Sequence, residues 1–175
     1  MKGARMFDKI VLGFLMKKRM TGYEIKATMG RSTNFFYNTS FGNIYPTLKK
    51  LEQSGLVLCD EEVKNGKLNK SYSITTSGRK IFLQWLSMHS EIAMIRDEAL
   101  CRVFFFSHLE KKQIEDELNA YILRLSDQID ILKRLKKNIT FENDQWRLKT
   151  LDFGIDYYTN LKKSYQKMLS EVNEE

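Results

Sequence analysis

At 175 residues, with 42% hydrophobic and 29% charged, the chain has the composition of a soluble globular protein of one large or two small domains. No apolar run approaches the ~20 residues of a bilayer span, Ile10–Met16 is too short and lacks the cleavage site of a signal peptide, and two distant cysteines, Cys59 and Cys101, suit a reduced cytoplasm rather than structural zinc. The net charge of +7 is uneven: residues 1–80 hold 15 Lys and Arg against 6 Asp and Glu (+9), and residues 81–175 hold 14 against 16 (−2), the balance of a basic module for a polyanion joined to a near-neutral one.

Phe7, Ile10, Val11, Phe14 and Leu15 recur at three and four residues, which predicts a first amphipathic helix over about 8–17. Thr21-Gly22-Tyr23-Glu24 is a capping box that opens a second helix, with Tyr23 or Ile25 and Met29 turned inward, closing near Gly30. A polar and aromatic connector, 31–39, leads to a short third helix whose apolar face is Ile44, Leu48 and Leu51 and which stops at Gly55. The lone proline, Pro46, fits as third helical residue if the helix starts at Asn43; with Ser40 as cap instead, Gly42 eases the ring's clash. Two helices, a connector and a third helix are the order of a helix-turn-helix.

The third helix presents Asn43, Tyr45, Thr47, Lys49 and Lys50 off its apolar face, a polar, basic and aromatic edge suited to a major groove. Asn43 and Thr47 are the candidates for base edges, Lys49 and Lys50 for phosphates. Tyr45 lies one position off the apolar face and is assigned to DNA rather than to the core; Tyr23 and Ser40 complete the expected contacts. After Gly55, residues 57–63 alternate as a strand, Asn65-Gly66 is a two-residue hairpin signal, and Ser71–Ile74 returns. The tip carries Lys64, Asn65, Lys67 and Lys70 with no acid, a basic wing placed to reach phosphates or the minor groove.

Leu12-Gly13-Phe14-Leu15, Thr21-Gly22-Tyr23-Glu24-Ile25, the run from Gly42 to Glu52 and Lys70-Ser71-Tyr72-Ser73-Ile74-Thr75-Thr76-Ser77-Gly78-Arg79 together resemble the PadR family of transcriptional regulators over roughly residues 7–86. The resemblance implies a winged-helix repressor working as a dimer on an inverted-repeat operator. Asn43 departs from the threonine commonest at that position of the family pattern. Arg96-Asp97-Glu98-Ala99-Leu100 with Val103-Phe104-Phe105-Phe106 resembles the start of the longer C-terminal domain of one PadR subgroup.

Thr75 caps a fourth helix with Ile81, Phe82, Trp85 and Leu86 on its apolar side. Ser107 and Glu110 form a further capping box for a long helix to about Asn138, with Leu118, Ile122, Leu125, Ile129, Leu132, Lys136 and Ile139 as a heptad seam. A final helix over about 143–172 repeats the pattern with Leu148, Leu151, Ile155, Tyr158, Lys162, Tyr165, Leu169 and Val172, and Gly154 inside it permits close approach of a partner helix or ligand. Such seams form an intramolecular core, an intermolecular coil, or both. Two helices with wide apolar stripes cannot bury everything against each other, so dimerisation is expected through Leu148, Leu151, Ile155, Tyr158, Tyr165 and Leu169. Trp85, Trp146, Phe153, Tyr157 and Tyr158 are plain core or, as effectors such as phenolic compounds in PadR-like proteins imply, the lining of a pocket for a small aromatic ligand.

The expected fold is mainly α with a small β-hairpin: a winged helix-turn-helix DNA-binding domain at 1–88 and a long-helix dimerisation and effector domain at 89–175. His89 and His108 have no ligand-spaced partners, Glu115-Asp116-Glu117 complements a helix dipole, and no catalytic motif is present, so no metal, cofactor or enzyme activity is expected. The expected function is a cytoplasmic, homodimeric, sequence-specific regulator of double-stranded DNA, a repressor. The rival is a helical adaptor whose winged helix binds protein.

Overall fold

The computed structural model describes residues 6–37, 41–64, 67–90, 92, 97–138 and 144–174. The chain forms two compact units, Met1–Glu91 and Ile92–Glu175. In the first, α1 (Met6–Leu15), α2 (Gly22–Gly30), α3 (Ile44–Gln53) and α4 (Thr76–Leu86) surround a three-stranded antiparallel sheet. Its strands are β1 (Met20–Thr21), β2 (Val57–Lys64) and β3 (Lys67–Ile74), in the order β1-β3-β2. The core is built from the three-and-four periodicity of the helices: Val11, Leu12, Ile25, Met29, Ile44, Leu48 and Leu51 are sealed, with Val57 and Tyr72 from the sheet.

Local chemistry starts and stops each helix. Thr21 caps α2 in a full capping box: Glu24 N–H donates to Thr21 Oγ1 at 3.2 Å and Thr21 N–H donates to Glu24 Oε2 at 2.7 Å. Those bonds, from the Thr21 backbone first and its side chain second, hold the Glu24 carboxyl below its ordinary range. Ile25 and Met29 point inward and Tyr23 outward. A 3-10 turn at Phe41–Asn43 feeds α3, so Pro46 is the third helical residue, where its missing N–H has no intrahelical partner to lose. Gly55, at φ +66°, ends α3 in the left-handed conformation and sends the chain into β2. The ladder runs from Val57↔Ile74 to Lys64↔Lys67. Only Asn65-Gly66, the expected turn, separates the strands, and it lies outside the described residues. The return strand thus starts four residues earlier than Ser71, where the alternation predicts it. β1, two residues beside Ser71 and Tyr72, has no sequence signal at all.

In the second unit α5 (Glu98–Val103) is capped by Asp97, whose Oδ1 accepts from Ala99 N–H at 2.9 Å. A 3-10 turn at Phe106–His108 precedes α6 (Lys111–Asn138), which begins three residues later than expected. Glu110, not Ser107, stands at its start, its N–H donating to the Gln113 side chain at 3.0 Å. α7 (Gln145–Glu174) returns alongside. Tyr121 and Tyr165 have ring centroids 4.6 Å apart, and Lys136 pairs with Asp152, so residue numbers rise on one helix as they fall on the other: the pair is antiparallel. Leu118, Leu125, Ile129 and Leu132 of α6 and Leu151 and Tyr165 of α7 are buried. The lysine interrupting the α6 seam is accommodated by Asp152, and Ile139 lies outside the described residues.

Candidate nucleic-acid interface

Helix α3 divides its side chains cleanly. Ile44, Thr47, Leu48 and Leu51 are buried, while Asn43, Tyr45, Lys49 and Lys50 are exposed. Thr47 corrects the sequence reading: it is 9% exposed and cannot offer its hydroxyl to a base edge from this position. The reason is periodic, since 47 is three residues after Ile44 and four before Leu51 and completes the inward face. Lys50, though half-exposed, reaches back toward α1. Its ammonium lies 2.5 Å from the carboxylate of Asp8, a residue of α1 that is almost wholly buried. Lys50 therefore fastens α3 to α1, whereas Lys49 stays exposed on the outer face.

Tyr45 is 61% exposed, and its ring lies against the start of α2: a Cβ added at Gly22 would stand 2.6 Å from Tyr45 Cε1. Glycine at 22 is what lets the ring settle there, next to exposed Tyr23. Behind Tyr45, Tyr72 is buried in β3, and burial first, then the neighbouring Cys59, push its phenol up to about 12. The exposed edge accordingly gathers Tyr23, Asn43, Tyr45 and Lys49; Ser40 lies outside the described residues. On the hairpin, Lys70 is paired with Glu61 at 2.5 Å, its cross-strand neighbour, and this bond raises the Lys70 pKa. The tip alone carries no acid, but the ladder brings Glu61 of β2 opposite Lys70 of the return strand. The backbones of Lys64 and Lys67 face each other at the last pair before the turn.

Replacing Lys50 with methionine is expected to cost about 1–2 kcal/mol of stability by removing one charge-assisted hydrogen bond from the buried Asp8 carboxylate. The slope of operator affinity against salt should stay unchanged, while Lys49→Ala should flatten it by about one counterion. Thermal melts and salt titrations of the two variants check both halves.

In the C-terminal unit two of the six expected dimer residues are spent within the protomer. Leu151 and Tyr165 are sealed, and Leu148, Ile155, Tyr158 and Leu169 are half-buried. Leu151 and Tyr165 cannot face a second copy, because the α6 seam already covers them. The expected effector aromatics lie elsewhere. Trp85 belongs to the N-terminal unit, beside Phe82 with the Lys9 ammonium 5.5 Å above its ring. Trp146, Phe153 and Tyr157 are exposed on α7, Phe153 and Tyr157 with stacked rings 6.4 Å apart, and only Tyr158 is half-buried. A cavity of about 340 Å³ does occur in this unit, lined by Asp97, Phe106, Tyr121 and Tyr165 among others and by none of the five expected aromatics. Composition offered no sign of it. Among the described residues no group of three His, Cys, Asp or Glu could hold a metal ion, and no helix is long and apolar enough to cross a membrane.

Residues 11–84 match the family model described as "Transcriptional regulator PadR-like family", and residues 95–171 match that described as "Virulence activator alpha C-term". Over 171 residues the chain is 25% identical to the "Negative transcriptional regulator PadR" of Bacillus subtilis, covering 97% of this chain and 93% of that protein. The Bacillus subtilis PadR crystal structure in complex with operator DNA superposes with a TM-score of 0.88 at 23% identity, covering 96% of this chain and 99% of the other. Its complex with p-coumaric acid gives a TM-score of 0.80 at 23% identity over 97% and 99%. The PadR-like transcriptional regulator BC1756 from Bacillus cereus is 29% identical with a TM-score of 0.79, covering 98% of each chain. These relatives are named as transcriptional regulators.

Proposed function

We propose that this chain, whose residues 11–84 match the PadR-like family model and which is similar to the Bacillus subtilis PadR regulator along its length, is a repressor of that family that binds an inverted-repeat operator as a homodimer and is released by a small aromatic effector. The DNA-binding part is residues 1–88, and residues 89–175 dimerise and sense. The observation that carries the reading is the two-sided α3: one face sealed by Ile44, Thr47, Leu48 and Leu51, the other offering Asn43, Tyr45 and Lys49 to solvent. The first turn of a recognition helix is where base edges are met, which assigns base contact to Asn43 and Tyr45 once Thr47 is turned away. Lys49 and the hairpin lysines Lys64 and Lys67 supply phosphate contacts, and the +9 charge of residues 1–80 supplies the long-range attraction. The operator complex of the Bacillus subtilis relative supports the DNA assignment, and its p-coumaric acid complex supports an aromatic effector. A ligand that prefers one separation of the two recognition helices lowers operator affinity by shifting the population toward it.

Selection of bound sequences from random duplexes tests this. An inverted repeat with half-sites about 10 base pairs apart is the expected product. A protein that shifts no duplex in a gel at moderate salt is instead an adaptor. On the selected duplex, Lys64→Ala with Lys67→Ala should weaken binding to all sequences alike and lower the salt slope by about two. Asn43→Ala should instead change which base is preferred at one position of each half-site, read by repeating the selection.

A further inference from the structure

The cavity of the C-terminal unit lies among α5, the turn that follows it, and facing stretches of α6 and α7. Val103, Phe106 and Leu118 give it apolar walls, and the paired rings of Tyr121 and Tyr165 give it an aromatic one. Its polar groups are arranged around one carboxylate. Asp97 uses Oδ1 to cap α5, and its Oδ2 accepts from the Tyr121 hydroxyl at a long 3.4 Å. Tyr165 is 2% exposed, lines the cavity, and its hydroxyl has no hydrogen-bond partner among the described residues. A buried hydroxyl without a partner is costly, and a ligand's polar group at this place removes the cost.

The sign of the charge selects the ligand. Arg102 is bound to Glu98 at 2.7 Å, which leaves Asp97 and Glu117 against Arg124 on the lining. Burial above all, and then the charge of Asp97, push both phenols up to about 12, so both remain protonated at neutral pH. An anion placed beside Tyr165 would face the Asp97 carboxylate; a cation there gains that carboxylate and two aromatic faces. We propose that this cavity binds a small protonated aromatic amine, its ammonium donating to Asp97 Oδ2 and to the Tyr165 hydroxyl, its ring held against Tyr121 and Phe106. The volume is at the lower end for small-molecule sites and suits one ring with a short side chain. The regulatory consequence, that the amine is an effector, rests on the operator-release reading above; occupancy of the cavity does not.

The full-length protein without DNA is titrated calorimetrically with tyramine and with its anionic counterpart 3-(4-hydroxyphenyl)propionate. Tyramine binding while the anion does not is the expected result. Asp97→Asn, which retains a capping side chain for α5, should weaken tyramine at least about ten-fold, because a hydrogen bond to a charged group is lost. Tyr165→Phe should weaken it about three- to ten-fold while leaving the melting temperature unchanged or raised, since it removes an unsatisfied hydroxyl. Glu117→Gln, on the exposed side of α6, should weaken it about two-fold and serves if either other variant fails to fold. Equal or tighter binding of the anion overturns the proposal, as does no binding of tyramine at millimolar concentration. So does unchanged affinity in the folded variants, or a Tyr165→Phe effect confined to self-association. Operator affinity with and without tyramine, measured separately, shows whether a failure lies in the cavity or in the regulatory reading.

Discussion

Gly78→Ala is expected to destabilise the N-terminal unit by about 3 kcal/mol, lowering its melting temperature by about 15 °C. Glycine-to-alanine changes inside helices ordinarily gain about 1 kcal/mol from propensity, so the expected sign is the reverse of the ordinary one. An alanine Cβ at 78 would stand 2.1 Å from the carbonyl oxygen of Leu56, a backbone atom with no rotamer to escape into. That carbonyl is pinned, for it accepts the Thr75 N–H at 3.1 Å, and Leu56 N–H in turn donates to Leu51 at 2.9 Å. The Thr75 hydroxyl donates to the Gly55 carbonyl at 2.8 Å and accepts the Gly78 N–H at 3.0 Å. Relief therefore requires α4 to lift off the turn after α3, breaking the cap and the bonds that fix the left-handed Gly55. Thr75→Ala removes the cap alone and should cost about 1 kcal/mol, which separates the steric part. The chain has one tryptophan in each unit, Trp85 on α4 and Trp146 on α7. In a Trp146→Phe background the fluorescence of Trp85 follows the N-terminal unit alone. A Gly78→Ala midpoint within 3 °C of the parent would contradict the steric argument.

What could be read from the residues in advance was local. The α2 capping box, the Gly55 stop and the place of Pro46 each depend on a few neighbouring positions, and each appears in the structure. Thr47 is equally local: its residue type suggests the outer face, but the period of α3 places it on the buried one. Lys70 needed more than its neighbours, because its pairing with Glu61 follows from hairpin register across nine residues. The long seams show a deeper limit. Apolar residues at alternate spacings of three and four have the same pattern whether the partner helix belongs to the same chain or to a second copy. Here α6 and α7 serve each other, as the Lys136–Asp152 pair and the Tyr121–Tyr165 rings record. The cavity had no signal, since Asp97, Tyr121 and Tyr165 are brought together only by the antiparallel return of α7.

Changing Trp146, Phe153 and Tyr157 together to serine is expected to give a folded monomer with operator affinity lowered about 100- to 1,000-fold. Spacings of seven and four residues set the three side chains within about 40° of one another on α7. They are 67%, 68% and 49% exposed, so they contribute little inside the protomer. Large aromatic side chains gathered on one exposed face are characteristic of an interface, and burying them against a second copy supplies what the sealed Leu151 and Tyr165 cannot. The C-terminal unit of the triple variant should therefore melt close to the parent. By contrast, Leu151→Ala opens the α6–α7 core and should cost about 2–5 kcal/mol. The loss on DNA follows from linkage: in a dimer the second recognition helix meets its half-site at the high effective concentration set by the first, and a monomer forfeits that gain while keeping its half-site contacts. Sedimentation at micromolar concentration reads the oligomeric state, and titrations of whole and half operators read the linkage. A triple variant that still sediments as a dimer would place the pairing surface elsewhere on the C-terminal unit. A parent protein that sediments as a monomer would remove the dimer itself, and with it the reason for an inverted repeat.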